Sequence, residues 1–227
     1  MDFKTQVQGL TGLTISSSGT NPTEAEISQY LKDGVLDITY KTLAARPADA
    51  EHFLIDSDAQ TAQRFDPKSG DVISVVREDG VTANSWRPCI KLSNNLEYLV
   101  TDKDSLHYAS KFNPAYIILD DGRVNVYPAP DSSPNRYKVY YINNVPMNNS
   151  GSALDQSHSD IAYFPAQKVY LVSIYAAIKA LENKLGEYTI DEEDIELVQA
   201  MSVNLSTLKQ SYNSALGMVA PQGGDSK

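Results

Sequence analysis

Apolar residues recur along this chain with three rhythms, and the changes of rhythm divide it. Over residues 1–20 they stand singly, Phe3, Val7, Leu10, Leu13 and Ile15 in a Gly-, Ser- and Thr-rich background, which reads as a flexible N-terminal arm that orders only by lying on something else. "NPTEAEISQYLKDGVLDITYKTLAARP" then sets Ile27, Tyr30, Leu31, Val35 and Ile38 at helical spacing. Asn21 is the expected N-cap, with Pro22 at the first helical position and Glu24 three residues after the cap. Gly34 is a point at which this helix can divide, and Arg46-Pro47 ends it.

From about residue 50 to 146 the period drops to two, in the short segments "FLI", "VISVVR", "CIKL", "LEYLVT", "YIILD", "RVNVY" and "YKVYYI". Turn chemistry separates them at Asp66-Pro67, Ser69-Gly70, Asp79-Gly80, Asn94-Asn95 and Asp121-Gly122. The prediction is an antiparallel meander or a small barrel. Its clearest unit is "YIILDDGRVNVYPAP" (116–130), where a two-residue Asp121-Gly122 turn sets Leu119 opposite Val124 and Ile117 opposite Val126. One face is then aliphatic, and the other mixes Tyr116, Ile118 and Asp120 with Arg123, Asn125 and Tyr127. Pro128 and Pro130 remove ladder donors and end the strand, and with Pro134 they stiffen the connection that follows.

After the polar linker "MNNSGSALDQSHS" the helical rhythm returns. Leu171, Ile174, Ile178, Leu181 and Leu185 step by three and four, with Asp160 as expected N-cap and Gly186 as expected stop. Thr189 and Glu192 form a capping box for a second helix whose seam is Val198, Met201, Leu205, Leu208 and Tyr212. The acidic run Asp191 to Asp194 falls in its first turn, where negative charge opposes the positive end of the helix dipole. The predicted fold is therefore α+β: an N-terminal helical segment, an antiparallel β meander or small barrel module, and a C-terminal antiparallel helical hairpin forming a helix bundle. The expected division is a flexible arm at 1–20, a helical bundle from 21–47 and 157–216, a β module at 50–146, and a flexible C-terminal tail at 217–227.

Composition narrows the function classes. Of 227 residues, 41% are hydrophobic and 21% charged, ordinary values for a folded chain. The net charge of −10 argues against gripping nucleic acid by phosphate neutralisation, although acidic walls would keep passing DNA from sticking. A single cysteine, Cys89, excludes an intrachain disulfide and a Cys-based zinc site, and its place between Pro88 and Ile90 reads as a buried structural thiol. No apolar run reaches the length of about 20 residues that spans a bilayer, and Met1 to Leu13 lacks the basic start and apolar core of a signal peptide. No membrane association is expected, and synthesis in a reducing cytoplasm is.

Candidate chemistry is sparse. His52, His107 and His158 stand in no metal-ligand spacing, and neither a G-x-S-x-G elbow, a P-loop nor G-x-G-x-x-G occurs. "DSDAQTAQRFDPKSGD" begins like a calcium loop, but Gln60 takes the third ligand place. No catalytic residue, cofactor or metal is expected, and the chain is read as not an enzyme. Trp86 and the 14 tyrosines suit packing between subunits or an ordinary core and rim. Tyr170, Val172, Tyr175 and Ala176 lie off the Leu171 to Leu185 seam and form a second apolar stripe for a neighbour. Candidate contact residues are Tyr170, Tyr175, Tyr127, Tyr140, Met218 and Val219.

Two stretches, "SLHYASKFNPAYIILDDGRVNVYPAPDSSPNRYKVYYINNVP" (105–146) and "YFPAQKVYLVSIYAAIKALENKL" (163–185), in this order after an N-terminal helical segment, carry a family likeness. The chain resembles the head-to-tail connector (adaptor) proteins of tailed bacteriophages, similar to tail tubular protein A. That resemblance implies a non-enzymatic ring, a dodecamer in the virion neck. It would join the portal protein above to the tail nozzle or other tail proteins below and let DNA pass without sequence-specific binding. It would place 157–216 in the ring wall, 217–227 as a docking tail, and 50–146 toward the tail. Two alternatives stay open: another head-completion or tail component, and a cytosolic carbohydrate-active or carbohydrate-binding domain, which would need carboxylates and exposed aromatics in one cleft.

Overall fold

The computed structural model describes residues 1–18, 22–68, 70–188 and 195–217. In chain order it contains helices α1 (Phe3–Thr11), α2 (Glu24–Ala45), α3 (Glu97–Thr101), α4 (Val169–Tyr188) and α5 (Ile195–Gly217). The strands are β1 (Leu54–Asp56), β2 (Arg64–Phe65), β3 (Asp71–Glu78), β4 (Trp86–Pro88), β5 (Ile90–Leu92), β6 (Ala115–Ile118), β7 (Val124–Tyr127) and β8 (Tyr137–Ile142). They form two compact units, a helical one from residues 1–53 and 145–227 and a β unit from Leu54–Asn144. The α+β class is that of the sequence reading.

The helical unit is organised around α4. Leu171, Val172, Ile174, Ala176, Ala177, Ile178, Ala180 and Leu181 are all buried on it, so its apolar surface runs round the helix rather than along one stripe. α1, α2 and α5 cover it. Val172 and Ala176, expected to face a neighbouring subunit, are fully buried against the chain's own helices. The expected loose arm is also corrected over its described part, residues 1–18. Asp2 caps α1 by accepting from the Thr5 N–H at 2.8 Å, and Gly12 ends it at φ +71°. Phe3 and Val7 are fully buried, and the Phe3 and Lys4 N–H groups donate to the carbonyls of His158 (2.8 Å) and Gln156 (2.9 Å). The "linker" thus supplies the acceptors that a free helix end would lack.

Helix α2 begins two residues later than its sequence signal. Its cap is Thr23, whose hydroxyl accepts from the Glu26 N–H while Glu26 returns to the Thr23 N–H at 2.7 Å, a reciprocal capping box. Asn21 lies outside the described residues. Gly34 does not divide the helix; a Cβ there would stand 3.0–3.2 Å from the ring and Cβ of Tyr175 on α4. Alanine at 34 gains about 1 kcal/mol of helix propensity, but the rigid base of Tyr175 cannot retreat, and overpacking costs about 1–3 kcal/mol. Gly34→Ala is accordingly expected to lower Tm in a thermal melt, and Gly34→Leu to lower it further.

Asp160 does not cap α4, which is entered through a 3-10 turn at Ala166–Lys168; the Asp160 carboxylate instead accepts from the Asn149 N–H at 2.9 Å. Gly186 lies inside α4 rather than stopping it. α5 buries Met201, Leu208 and Tyr212 of its expected seam. The Thr189 and Glu192 capping box and the run Asp191 to Asp194 lie outside the described residues.

The β unit is neither a simple meander nor a closed barrel. It has two four-stranded sheets, in the orders β1-β8-β3-β4 and β2-β7-β6-β5. β4 and β5 are one extended stretch that changes sheets at Cys89, whose N–H donates to the Val75 carbonyl at 2.8 Å. β5 then pairs parallel with β6. Val75, Tyr116, Val124, Val126, Tyr137 and Val139 form one core, and Val100, Ala109, Ala115, Ile117 and Tyr127 a second. "LEYLVT" is not a strand but α3, which buries only Val100.

The β6-β7 hairpin turns through three residues, not two. Leu119 exchanges hydrogen bonds with Arg123 and Gly122, and Gly122 sits at φ +81°, the arrangement of a type I turn closed by a left-handed residue. The register therefore slips by one, pairing Tyr116 with Val126 and Ile117 with Asn125. Both faces are buried, including the one expected to be mixed. There the Tyr127 hydroxyl donates to Glu97 Oε1 at 2.7 Å and accepts from Asn125 Nδ2 at 2.6 Å.

Candidate functional site

One end of β3 carries a loop pinned from beneath by buried charge. β3 ends in Arg77 and Glu78, 2% and 0% exposed. Arg77 donates through Nε to the Pro128 carbonyl (3.0 Å), through Nη1 to the Glu78 carbonyl (2.9 Å), and through Nη2 to Ala129 O and Asn135 Oδ1 (both 3.4 Å). The proline-rich connection, whose ring nitrogens cannot donate, is held by its carbonyls instead. Glu78 accepts from the backbone N–H groups of Asn84 (2.9 Å) and Arg136 (2.8 Å), and from Arg136 Nε (3.2 Å) and Nη2 (2.6 Å). The Arg136 guanidinium, helped by the two amides, outweighs desolvation and lowers the Glu78 carboxyl to about 2. One residue on, Asp79 accepts from the Thr82 and Val81 N–H groups, and these bonds hold its carboxyl below the usual range.

On this base Val81 faces outward (67% exposed), and two further turns of the β unit expose Leu106 (100%) and Phe112 (67%). The Gly80 N–H donates to Pro134 O at 3.0 Å, and a Cβ on Gly80 would come within 3.5 Å of Lys111, which sets the Val81 turn beside the Phe112 turn. Two cations lie near the Phe112 ring, Arg87 Cζ at 5.6 Å and Lys111 Nζ at 5.1 Å from its centre. An exposed aromatic with two cations near its ring offers an apolar, positively flanked surface.

The residues singled out from sequence are scattered. Tyr170 is exposed at the start of α4, whereas Tyr175 is wedged against Gly34 and meets the Tyr212 ring at 5.9 Å. Tyr127 is buried at its bond to Glu97, and Tyr140 is half-buried on β8 opposite Asp56 and Ser74. Tyr175 and Tyr127 are thus spent within the chain, while Met218 and Val219 lie outside the described residues. Val81, Leu106 and Phe112 were missed because they lie in aperiodic loops. Their available signal was an apolar residue flanked by turn formers, as in "TDKDSLHYASKFNP".

Among the described residues no group of three or more His, Cys, Asp or Glu could hold a metal ion, and no helix is long and apolar enough to cross a membrane. Burial pushes the Cys89 thiol up to about 12, so it packs as a neutral group. His158 Nδ1 accepts from the Asp155 N–H at 3.1 Å, a turn contact. A groove of about 540 Å³ between the ends of α1 and α4 and the start of α5 contains Lys184 and Asn204. Both polar groups are already engaged, Lys184 with Glu187 at 2.7 Å and Asn204 with the Leu10 carbonyl at 3.0 Å. No protein-family model matches the chain, and no curated protein is significantly similar to it.

Proposed function

We propose that this chain is a virion structural protein, a head-to-tail adaptor whose copies form a ring between the portal and the tail and let DNA through. What supports the reading is the set of large apolar side chains that the β-unit turns expose, Val81, Leu106 and Phe112, of which the Val81 turn is held from beneath by the buried Glu78–Arg136 pair. Such preorganisation lowers the ordering cost of docking. The net charge of −10 is in keeping with a conduit that DNA crosses without adhering. In this reading the helical unit forms the wall and the β-unit loops meet the tail nozzle or another tail protein.

Negative-stain imaging of the purified chain, alone and mixed with portal protein, tests the reading. Rings are expected, and a monomer that persists with portal would overturn it. For the loop surface, Phe112→Ser and Leu106→Ser are expected to leave stability within about 0.5 kcal/mol, since both side chains already face water. Burying a phenylalanine is worth about 1.5–3 kcal/mol, so Phe112→Ser is expected to weaken binding to the tail nozzle protein by about tenfold or more in a titration.

A further inference from the structure

The outward face of α5 differs from an ordinary exposed helix surface. From Leu197 to Gly217 the only charged residue is Lys209, and its Nζ lies 2.9 Å from Glu182 Oε1 on α4. Gln199, Ser202, Val203, Ser206, Thr207 and Gln210 are all exposed there, whereas about a quarter to a third of a soluble surface is normally charged. The Ser202 and Thr207 hydroxyls donate back to the carbonyls of Val198 (2.8 Å) and Val203 (3.0 Å). Their protons are therefore satisfied inside the helix, and covering them strips little from water. Amid these residues Val203 is 68% exposed.

We propose that this face is where a second copy of the chain packs. The argument is electrostatic. Each copy carries −10, so two copies repel wherever their charged surfaces meet, and an uncharged face is where they can approach closely. A cationic or polyanionic partner would find no unpaired charge on it to engage. The proposal deepens the ring reading and rests on it, because ring closure needs this face to meet a different flank of the next copy. Its size sets the strength. A helix of 23 residues is about 34 Å long and presents a strip about 10 Å wide. That is less than half of the roughly 800 Å² per partner in a stable interface, so α5 on its own gives weak association that the second flank or the portal completes.

Sedimentation velocity on the full chain, over a concentration series at low and high salt, tests this. Association of the wild type is expected to strengthen with salt, because screening over a Debye length of about 10 Å at 0.1 M and about 3 Å at 1 M removes like-charge repulsion. Val203→Asp, and separately Ser206→Glu, are expected to weaken it at least tenfold with unchanged far-UV circular dichroism. Ala83→Asp, the same charge on an exposed turn of the β unit, is expected to leave it unaltered. Association of both α5 variants at wild-type strength, or association that weakens with salt, would overturn the α5 assignment while leaving the ring reading intact. A wild type that stays monomeric at every concentration and with portal protein would overturn both.

Discussion

Arg136→Ala is expected to destabilise the β unit by about 3–5 kcal/mol, the cost of leaving an enclosed carboxylate without its counter-charge. Glu78 is 0% exposed, and without Arg136 it keeps only the Asn84 and residue-136 amides. Arg77 is close but already committed to four acceptors. Glu78→Gln is expected to cost less, about 1–2 kcal/mol, since it removes the charge itself and the Arg136 side chain, 25% exposed, can reach water. This order of severity is the discriminating result, read from urea unfolding midpoints. If Glu78→Gln proved the worse, the pair would act through shape rather than charge.

The same pair sets an acid dependence. The folded carboxyl of Glu78 sits at about 2 against a reference of 4.5, so its stabilisation is present above about pH 4.5 and lost as pH falls through about 2. The full loss is about 3 kcal/mol at 1.4 kcal/mol per unit. Arg136→Ala is expected to flatten that part of the stability curve. Because Glu78 also accepts from the Asn84 and residue-136 amides, the Val81 turn that ends at Asn84 is expected to loosen together with the pair.

Legibility from sequence followed the range of the interactions. The seams of α2, α4 and α5 were readable because each depends on residues three or four apart. Cap positions were less so: Asn21 and Thr23 are both good caps, and the reciprocal Glu26 bond that selects Thr23 depends on the backbone it helps to form. The β unit was legible as strands but not as topology. The parallel β5-β6 pair and the change of sheet at Cys89 are long-range pairings on which a period of two is silent. "DDG" serves a two-residue or a three-residue turn equally well, and only burial on both faces of β7 decides between them. Residue type alone marks a tyrosine as a contact, but Tyr127 and Tyr175 find their partners, Glu97 and Gly34, far away in the chain. The exposed loop residues have no periodic signature at all.

Phe3→Ala is the second substitution with a large expected effect, about 3–5 kcal/mol of lost stability in the helical unit. Its side chain is fully buried, part of the single core that residues of α1, α2, α4 and α5 build with Leu154 and Ile161. Eight residues on, Thr11 is still buried, and Gln6 Oε1 accepts from the fully buried Ser173 hydroxyl at 2.8 Å. Were residues 1–18 a loose arm, the same substitution would shift the unfolding midpoint by no more than about 0.5 kcal/mol, so one denaturation curve separates the two pictures. The consequence reaches assembly. Detaching α1 would uncover the α4 surface that holds Ser173 and would strand the carbonyls of Gln156 and His158 that cap it. An exposed apolar helix face favours indiscriminate association. Phe3→Ala is therefore expected to give polydisperse aggregates on warming, where Val203→Asp gives a well-folded chain that fails to associate. The contrast, seen by light scattering alongside circular dichroism, separates a helix that builds the subunit from one that joins it to the next.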